Sequence, residues 1–312
     1  MILHNIDRRG FGAAALGCVA ASVSVAQAAP PDPSRLQTPS ASAVIREVKA
    51  LEMRGVGRIG VVAIDTGTGA VVAYRADERF PMCSTHKILV GAAILSMISA
   101  GRLKADQRIA YGHADLLEYA PLTTKNVEAG FMTVEALGEA AVRWSDNTAD
   151  NLLLTLLGGP KGWTQFARSM GDRVSRLDRF EPDLNSGTPG DVRDTSSPRA
   201  MTGMLAALLL GRALDAGPRS KLESWMYESP ITGALFRKRL PAGWHVSDKS
   251  GSGSNGTRND VGIIYPPRSA PIILTVFHTG SNGSTTERDE IIAECASVVA
   301  QHFRPVEAAS AD

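Results

Sequence analysis

Apolar residues change their period twice along this chain. Over residues 41–54, alanine, valine and leucine recur at helical spacing, which predicts a helix with one buried face. Residues 57–65 then read as a strand, Thr66-Gly67-Thr68-Gly69 as a turn, and residues 70–75 as the returning strand of a hairpin. From Thr85 to about Asp215 the pattern is helical. Segment 87–100 ends at Gly101, 133–143 follows, and 146–157 ends at Gly158-Gly159. Residues 179–198 have no periodicity and predict a long loop, a kind of segment that compact domains keep mainly for function. Strands return at 244–250, 260–265 and 271–278, the last two joined across Pro266-Pro267 as antiparallel neighbours. Residues 285–303 close the chain as an amphipathic helix. Strands at both ends with helices between predict a two-lobed α/β (α+β) fold. Its α/β lobe is discontinuous (29–80 and 228–312), and the inserted all-α lobe (81–227) carries the loop 176–198.

Composition narrows the class. At 312 residues, with 44% hydrophobic and 21% charged side chains, the chain reads as a soluble globular protein with a full core. A net charge of +1 leaves no basic excess to neutralise phosphates, so a nucleic-acid partner is excluded. Residues 1–28 differ from the rest: Arg8-Arg9, a small and apolar run from Gly10 to Val25, then Ala26-Gln27-Ala28. That is the order of a cleavable export signal, and the run is too short for a stable membrane anchor. Arg8-Arg9-Gly10-Phe11 resembles a twin-arginine signal, with Asp7 where Ser or Thr is usual, so a periplasmic location by the Tat route is expected. Removing this segment takes two of 33 basic and one of 32 acidic side chains, leaving 31 of each. It also removes Cys18, leaving Cys83 and Cys295, enough for one disulfide at most.

Four short motifs carry chemistry. Ser84 and Lys87 are one helical turn apart, about 4.5 Å of rise, so both share a face at a helix start. A lysine there can ease ionisation of a hydroxyl, and Cys83 beside it offers a second nucleophile. Ser145-Asp146-Asn147 opens another helix, where all three residue types also serve as N-caps. Lys249-Ser250-Gly251 ends a strand and would present an ammonium and a hydroxyl to an anion. In the long loop, Glu181 and Asn185 are placed to hold one water, with the carboxylate as general base. Each motif alone has a commoner explanation as a cap, a turn or a solvated loop. Gly251 to Gly256 formally matches a dinucleotide fingerprint, but a strand follows it where a helix is required. Asp65-Thr66-Gly67 occurs once and reads as a hairpin turn. The six histidines lack metal spacing, so no metal and no cofactor are expected, and His86 reads as a packing residue off the Ser84/Lys87 face.

In this order the four motifs resemble the class A serine β-lactamases, from about residue 41 to residue 304. The likeness extends to the stretch from Asn147 to Leu154, to Arg193-Asp194-Thr195 and to Pro241 to Trp244. It implies a five-stranded antiparallel sheet flanked by terminal helices, joined to an all-helical lobe, with the site at the junction. By that resemblance Ser84 is the nucleophile, and Lys87 or Glu181 (through a water) is the acylation base. Ser145 passes a proton to the leaving nitrogen. Glu181, helped by Asn185, activates the water that hydrolyses the acyl-enzyme, and the N–H groups of Ser84 and Ser252 form the oxyanion hole. Asn147 would bind the substrate's acylamino group; Lys249, Ser250, Ser252 and Arg258 would bind its carboxylate, with Gly251 letting the substrate approach the backbone; Tyr119 would line the entrance. Arg179 and Asp194 match the pair that closes the loop's base. His86 and Phe180 stand where phenylalanine and tryptophan are commoner, and one extra residue falls near Gly130-Phe131. The resemblance implies a monomer whose partner is a small β-lactam. Penicillins are the expected substrates, with cephalosporins added on the strength of Ser252 alone. A DD-peptidase shares two of the motifs, and a β-lactam sensor domain acylates and stays acylated; Glu181 with Asn185 argues against both. In a carbapenem-hydrolysing branch, a cysteine before the serine pairs with one at the place of Gly253, so Cys83 is expected to be a free thiol packed behind the nucleophile.

Overall fold

The computed structural model describes residues 39–304, so the export-signal reading of residues 1–28 lies outside the described residues. Strands β1 (Arg58–Asp65) and β2 (Val71–Tyr74) form the first hairpin. The late strands β3 (His245–Gly253), β4 (Thr257–Tyr265) and β5 (Ile272–Thr279) complete a five-stranded antiparallel sheet in the order β2-β1-β5-β4-β3. First and last segments of the chain thus pair edge to edge, with Val61 opposite Val276 at the join.

The two-residue period sorts each strand between two cores. On β5, Ile272, Leu274 and Val276 face one core, and Ile273 and Phe277 the other. The first core is closed by α1 (Pro39–Gly55) and α8 (Thr285–Phe303), which present Ala41, Val44, Val48 and Leu51 against Ile292, Cys295 and Val299. Ser284 and Glu287 cap α8 reciprocally, so its start is written in the sequence.

The second core belongs to the helices inserted between β2 and β3. Its centre is α2 (Lys87–Ser99), apolar on every side and buried from Lys87 to Leu95. Around it pack α3 (Val134–Arg143), α4 (Asn147–Leu156), α5 (Gly159–Ser169) and α7 (Ala216–Tyr227). α6 (Pro198–Leu205) bridges back to the sheet, where Thr202 bonds Thr275 on β5 at 2.9 Å.

Several boundaries differ from the sequence reading. Gly158 and Gly159 end α4 as expected, both at positive φ, but α5 starts at once with Pro160 in its first turn. Lys249-Ser250-Gly251 lies inside β3, because the strand runs on to Gly253. The long loop contains a short 3-10 turn (Asp183–Asn185), and Thr195–Ser196 pairs with Phe80–Pro81. Near the extra residue, Gly130 turns left-handed and Phe131–Thr133 pairs with Arg108–Ala110, after which Thr133 caps α3. Asp65 does serve the hairpin turn: its side chain accepts from the Gly67 N–H at 2.9 Å.

Candidate active site

The site lies where α2 begins, between β3 and the long loop. The chain enters through a 3-10 turn, Cys83–His86, whose first residue has a φ of 46°. A side-chain-bearing residue holds that left-handed conformation only when its surroundings impose it. Here Thr85 Oγ1 and Asn259 Nδ2 both donate to the Met82 carbonyl, and the Met82 N–H donates to the Asp194 carbonyl at 3.0 Å. Strand β3 packs directly on the turn. A Cβ at Gly251 would stand 2.8 Å from the Met82 carbonyl, and one at Gly253 would stand 2.6 Å from Cys83 Sγ. Both glycines are therefore close-approach positions.

Ser145 brings two lysines together. Lys87 and Lys249 are both fully buried. Lys87 Nζ donates to the Ser145 carbonyl at 3.0 Å and to Asn147 Oδ1, and lies 2.9 Å from Glu181 Oε1. Lys249 Nζ donates to the Ser145 hydroxyl at 3.0 Å and to the Ser250 carbonyl at 3.1 Å. Burial, and then the charge of Lys87, push the Lys249 ammonium down to about 7. Ser145 can do this because it too is left-handed, with a φ of 60°, and the next residue fixes it. Asp146 caps α4 on the Ala149 N–H and also accepts from the N–H groups of Leu122 and Thr123. The residue read as one of three possible caps is thus Asp146, which leaves Ser145 and Asn147 free to face the site.

Glu181 is buried in the long loop. Its second oxygen accepts from Asn185 Nδ2. Asn151, one turn beyond Asn147 on α4, grips its backbone twice: the Glu181 N–H donates to Oδ1 and Nδ2 donates to the Glu181 carbonyl, each at 2.9 Å. At the loop's base Asp194 accepts from Arg179 Nε at 2.6 Å and from the N–H groups of Asp178 and Arg179.

The rim is polar. Ser252 stands opposite Arg258 across β3 and β4, and Arg258 Nη1 donates to Ser252 Oγ at 2.6 Å. Asp289 on α8 holds the other edge of that guanidinium at 2.5 Å. Tyr119 is 47% exposed, and its carbonyl accepts from the Asn147 N–H at 3.0 Å. A cleft of about 780 Å³ opens beside these residues, sharing Asn185 and Ser252 with the cluster but not Ser84 or Lys87.

The twelve residues expected to be catalytic or substrate-binding lie on α2 and its entry turn, at the start of α4, in the long loop, on β3 and β4 and on the bend at Tyr119, with Arg179 and Asp194 at the loop's base. Asn151, Asp289 and Asn259 were not among them. Asn151 had a signal, because it falls at i+4 from Asn147 on one helix face; the other two had none. His86 is buried, as a packing residue should be, but its contacts are polar: its ring lies between the Cys83 carbonyl and Asp150. Among the described residues, Cys83 and Cys295 are free thiols, and burial pushes both up, Cys295 to about 12. His86, Asp150 and Glu181 form the one group of described residues with metal-like proximity, but the Lys87 ammonium already supplies a cation at Glu181.

Residues 43–303 match the β-lactamase enzyme family. Over 263 residues the chain is 43% identical to β-lactamase CTX-M-97 of Escherichia coli, covering 84% of this chain and 90% of that protein. It is 42% identical over 302 residues to β-lactamase AST-1 of Nocardia asteroides, covering 95% and 96%. Among solved structures, an ancestral (GNCA) class A β-lactamase superposes with a TM-score of 0.82 at 48% identity, over 83% of this chain and 100% of that one. With the family match over residues 43–303, these identities and the shared five-stranded fold, the chain belongs to the β-lactamase enzyme family, in class A.

Proposed function

We propose that this enzyme opens the β-lactam ring of penicillins through an acyl-enzyme on Ser84, and so confers resistance to them. The observation that carries this reading is the position of Ser145 between two buried ammonium groups, one of which also reaches Glu181. Ser84 Oγ attacks the lactam carbonyl while its proton passes through water to Glu181, or to Lys87 once that ammonium has handed a proton to Glu181, and a proton is relayed on from there to Ser145. The C–N bond breaks and the nitrogen takes a proton from Ser145, whose hydroxyl Lys249 polarises. N–H groups of Ser84 and Ser252 receive the charge that develops on the carbonyl oxygen. A water then adds to the ester, Glu181 takes its proton with Asn185 holding the carboxylate, and Ser84 leaves as the hydroxyl, taking a proton relayed back from Glu181 by Lys87. Lys249, Ser250, Ser252 and Arg258 take the substrate carboxylate, Gly251 lets the substrate come close to the strand, Asn147 takes its acylamino group, and Tyr119 flanks the entrance.

We read the mature protein as a periplasmic monomer of two lobes, 29–80 with 228–312 and 81–227, exported by the Tat route after loss of residues 1–28. No described helix is long and apolar enough to cross a membrane. Lysine substitution of both Arg8 and Arg9 should block export, and unchanged periplasmic activity would favour Sec. Cephalosporin turnover rests on the Ser252 hydroxyl beside Arg258, and a panel of kcat/KM values tests it. Intact-protein mass spectrometry tests the mechanism. Glu181→Gln should accumulate a benzylpenicillin adduct and Ser84→Ala none. Permanent acylation of the wild type without product would instead make it a sensor or a DD-peptidase.

A further inference from the structure

His86 and Asp150 are fully buried and come from different elements, the nucleophile turn and α4. Ring Nδ1 lies 2.8 Å from the Cys83 carbonyl oxygen, and Nε2 lies 2.8 Å from Asp150 Oδ2. A carbonyl oxygen only accepts, so Nδ1 carries a proton. The contact at Nε2 needs one more, and the ring, whose affinity for protons the facing Asp150 raises, holds it. The pair is therefore an imidazolium facing a carboxylate. Trp163 fixes it from a third side: its indole N–H donates to the His86 carbonyl at 3.0 Å, and the rings meet edge-on with centroids 6.4 Å apart.

Two features tie the pair to the site. Cys83, whose carbonyl the ring holds, is the left-handed residue directly before Ser84. In addition, ligand atoms of His86, Asp150 and Glu181 lie within 4.8 Å of one another. Among the described residues, Asp150 Oδ1 and Glu181 Oε1 receive no hydrogen bond. Both carboxylates depend on the two nearby cations, His86 and Lys87.

We propose that His86 and Asp150 are a positioning pair for this enzyme's chemistry. The imidazolium holds the Cys83 carbonyl, and with it the turn that aims Ser84, while its charge cancels that of Asp150 in front of Glu181. The proposal rests on the roles given above to Ser84 and Glu181. Burial opposes the ring's charge most strongly and Lys87 adds to that, but Asp150 and Glu181 outweigh both and raise the imidazole above its ordinary range. As pH climbs through that raised value the ring becomes neutral. Its Nε2 lone pair then faces the Asp150 carboxylate, which is left uncompensated before Glu181.

The ring can be read without any turnover. Histidine-labelled protein followed by NMR should show one imidazole that stays doubly protonated above the usual range, and His86→Phe with Asp150→Ala identifies it by removing its signal. That double variant exchanges the pair for apolar side chains, so it strands no buried charge and should fold. Its benzylpenicillin kcat/KM should nevertheless fall about tenfold, through slower acylation at Ser84. Asp150→Asn is the conservative rescue: a neutral ring keeps Nδ1–H on Cys83 and accepts from the amide at Nε2. It should restore kcat/KM near neutrality and lose the alkaline limb that His86 sets. A neutral His86 at pH 7, or a double variant with wild-type kcat/KM and pH profile, overturns the proposal. No benzylpenicillin adduct at Ser84 in Glu181→Gln sinks the site reading and the proposal with it; an adduct there with an unperturbed double variant sinks the proposal alone.

Discussion

Replacing Asn151 by alanine removes both bonds that hold the Glu181 backbone, each 2.9 Å long, without touching a reacting group. Two neutral hydrogen bonds are lost, and two backbone groups in a half-buried setting must find water or go unpaired. At about 1–2 kcal/mol for each, the variant should be destabilised by roughly 2–4 kcal/mol. For a domain of this size that corresponds to a fall in Tm of roughly 5–15 °C. The kinetic effect should be selective. Lys87, Asn147 and the Ser145 carbonyl keep their mutual contacts, so Ser84 should still be acylated. Glu181 is displaced with its loop, and a shift of about 1 Å at a catalytic base costs about a hundredfold. Stopped-flow turnover of benzylpenicillin with intact-mass detection should then show a burst, followed by a long-lived adduct. Acylation and deacylation falling by the same factor, with Tm unchanged, would refute the assignment of Asn151 to holding Glu181.

Three other outcomes are expected. The Lys249 ammonium, brought down to about 7 from its usual 10.5, binds fewer protons than in the unfolded chain between those values. Stability should therefore rise with pH across that window and be flat below it, and kcat/KM for a carboxylate substrate should fall above pH 7; Lys249→Arg should remove that part of the fall and leave only the limb set by His86. A methyl at Gly253 would stand 2.6 Å from both Cys83 Sγ and the Asn185 carbonyl, so Gly253→Ala should cost about 1–3 kcal/mol in urea unfolding, and a neutral result would mean the strand and turn are further apart. Thiol titration of the unreduced mature protein should count none when folded and two when denatured, because both cysteines are buried and unpaired; a denatured count of zero would reveal a disulfide.

The sequence by itself determined what depends on near neighbours. Period-2 and period-3.6 patterns set the five strands and the helices α1, α2 and α8, because a strand or helix sorts its side chains by local geometry alone. Glycine pairs and capping residues marked the ends, as Ser284 with Glu287 does for α8. Four motifs in the right order were enough to name the chemistry. Helices α5, α6 and α7 escaped, since they are short, start at proline or glycine-rich turns and take their stability from packing on α2 and the sheet. Only the tertiary structure decided which polar groups meet across long separations: Arg258 with Asp289, Met82 with Asp194, Lys249 with Ser145, and His86 with Asp150. No periodicity records such pairs. Each is selected by the cost of burying a charge or an N–H without a partner, and that cost exists only once the chain has folded around it.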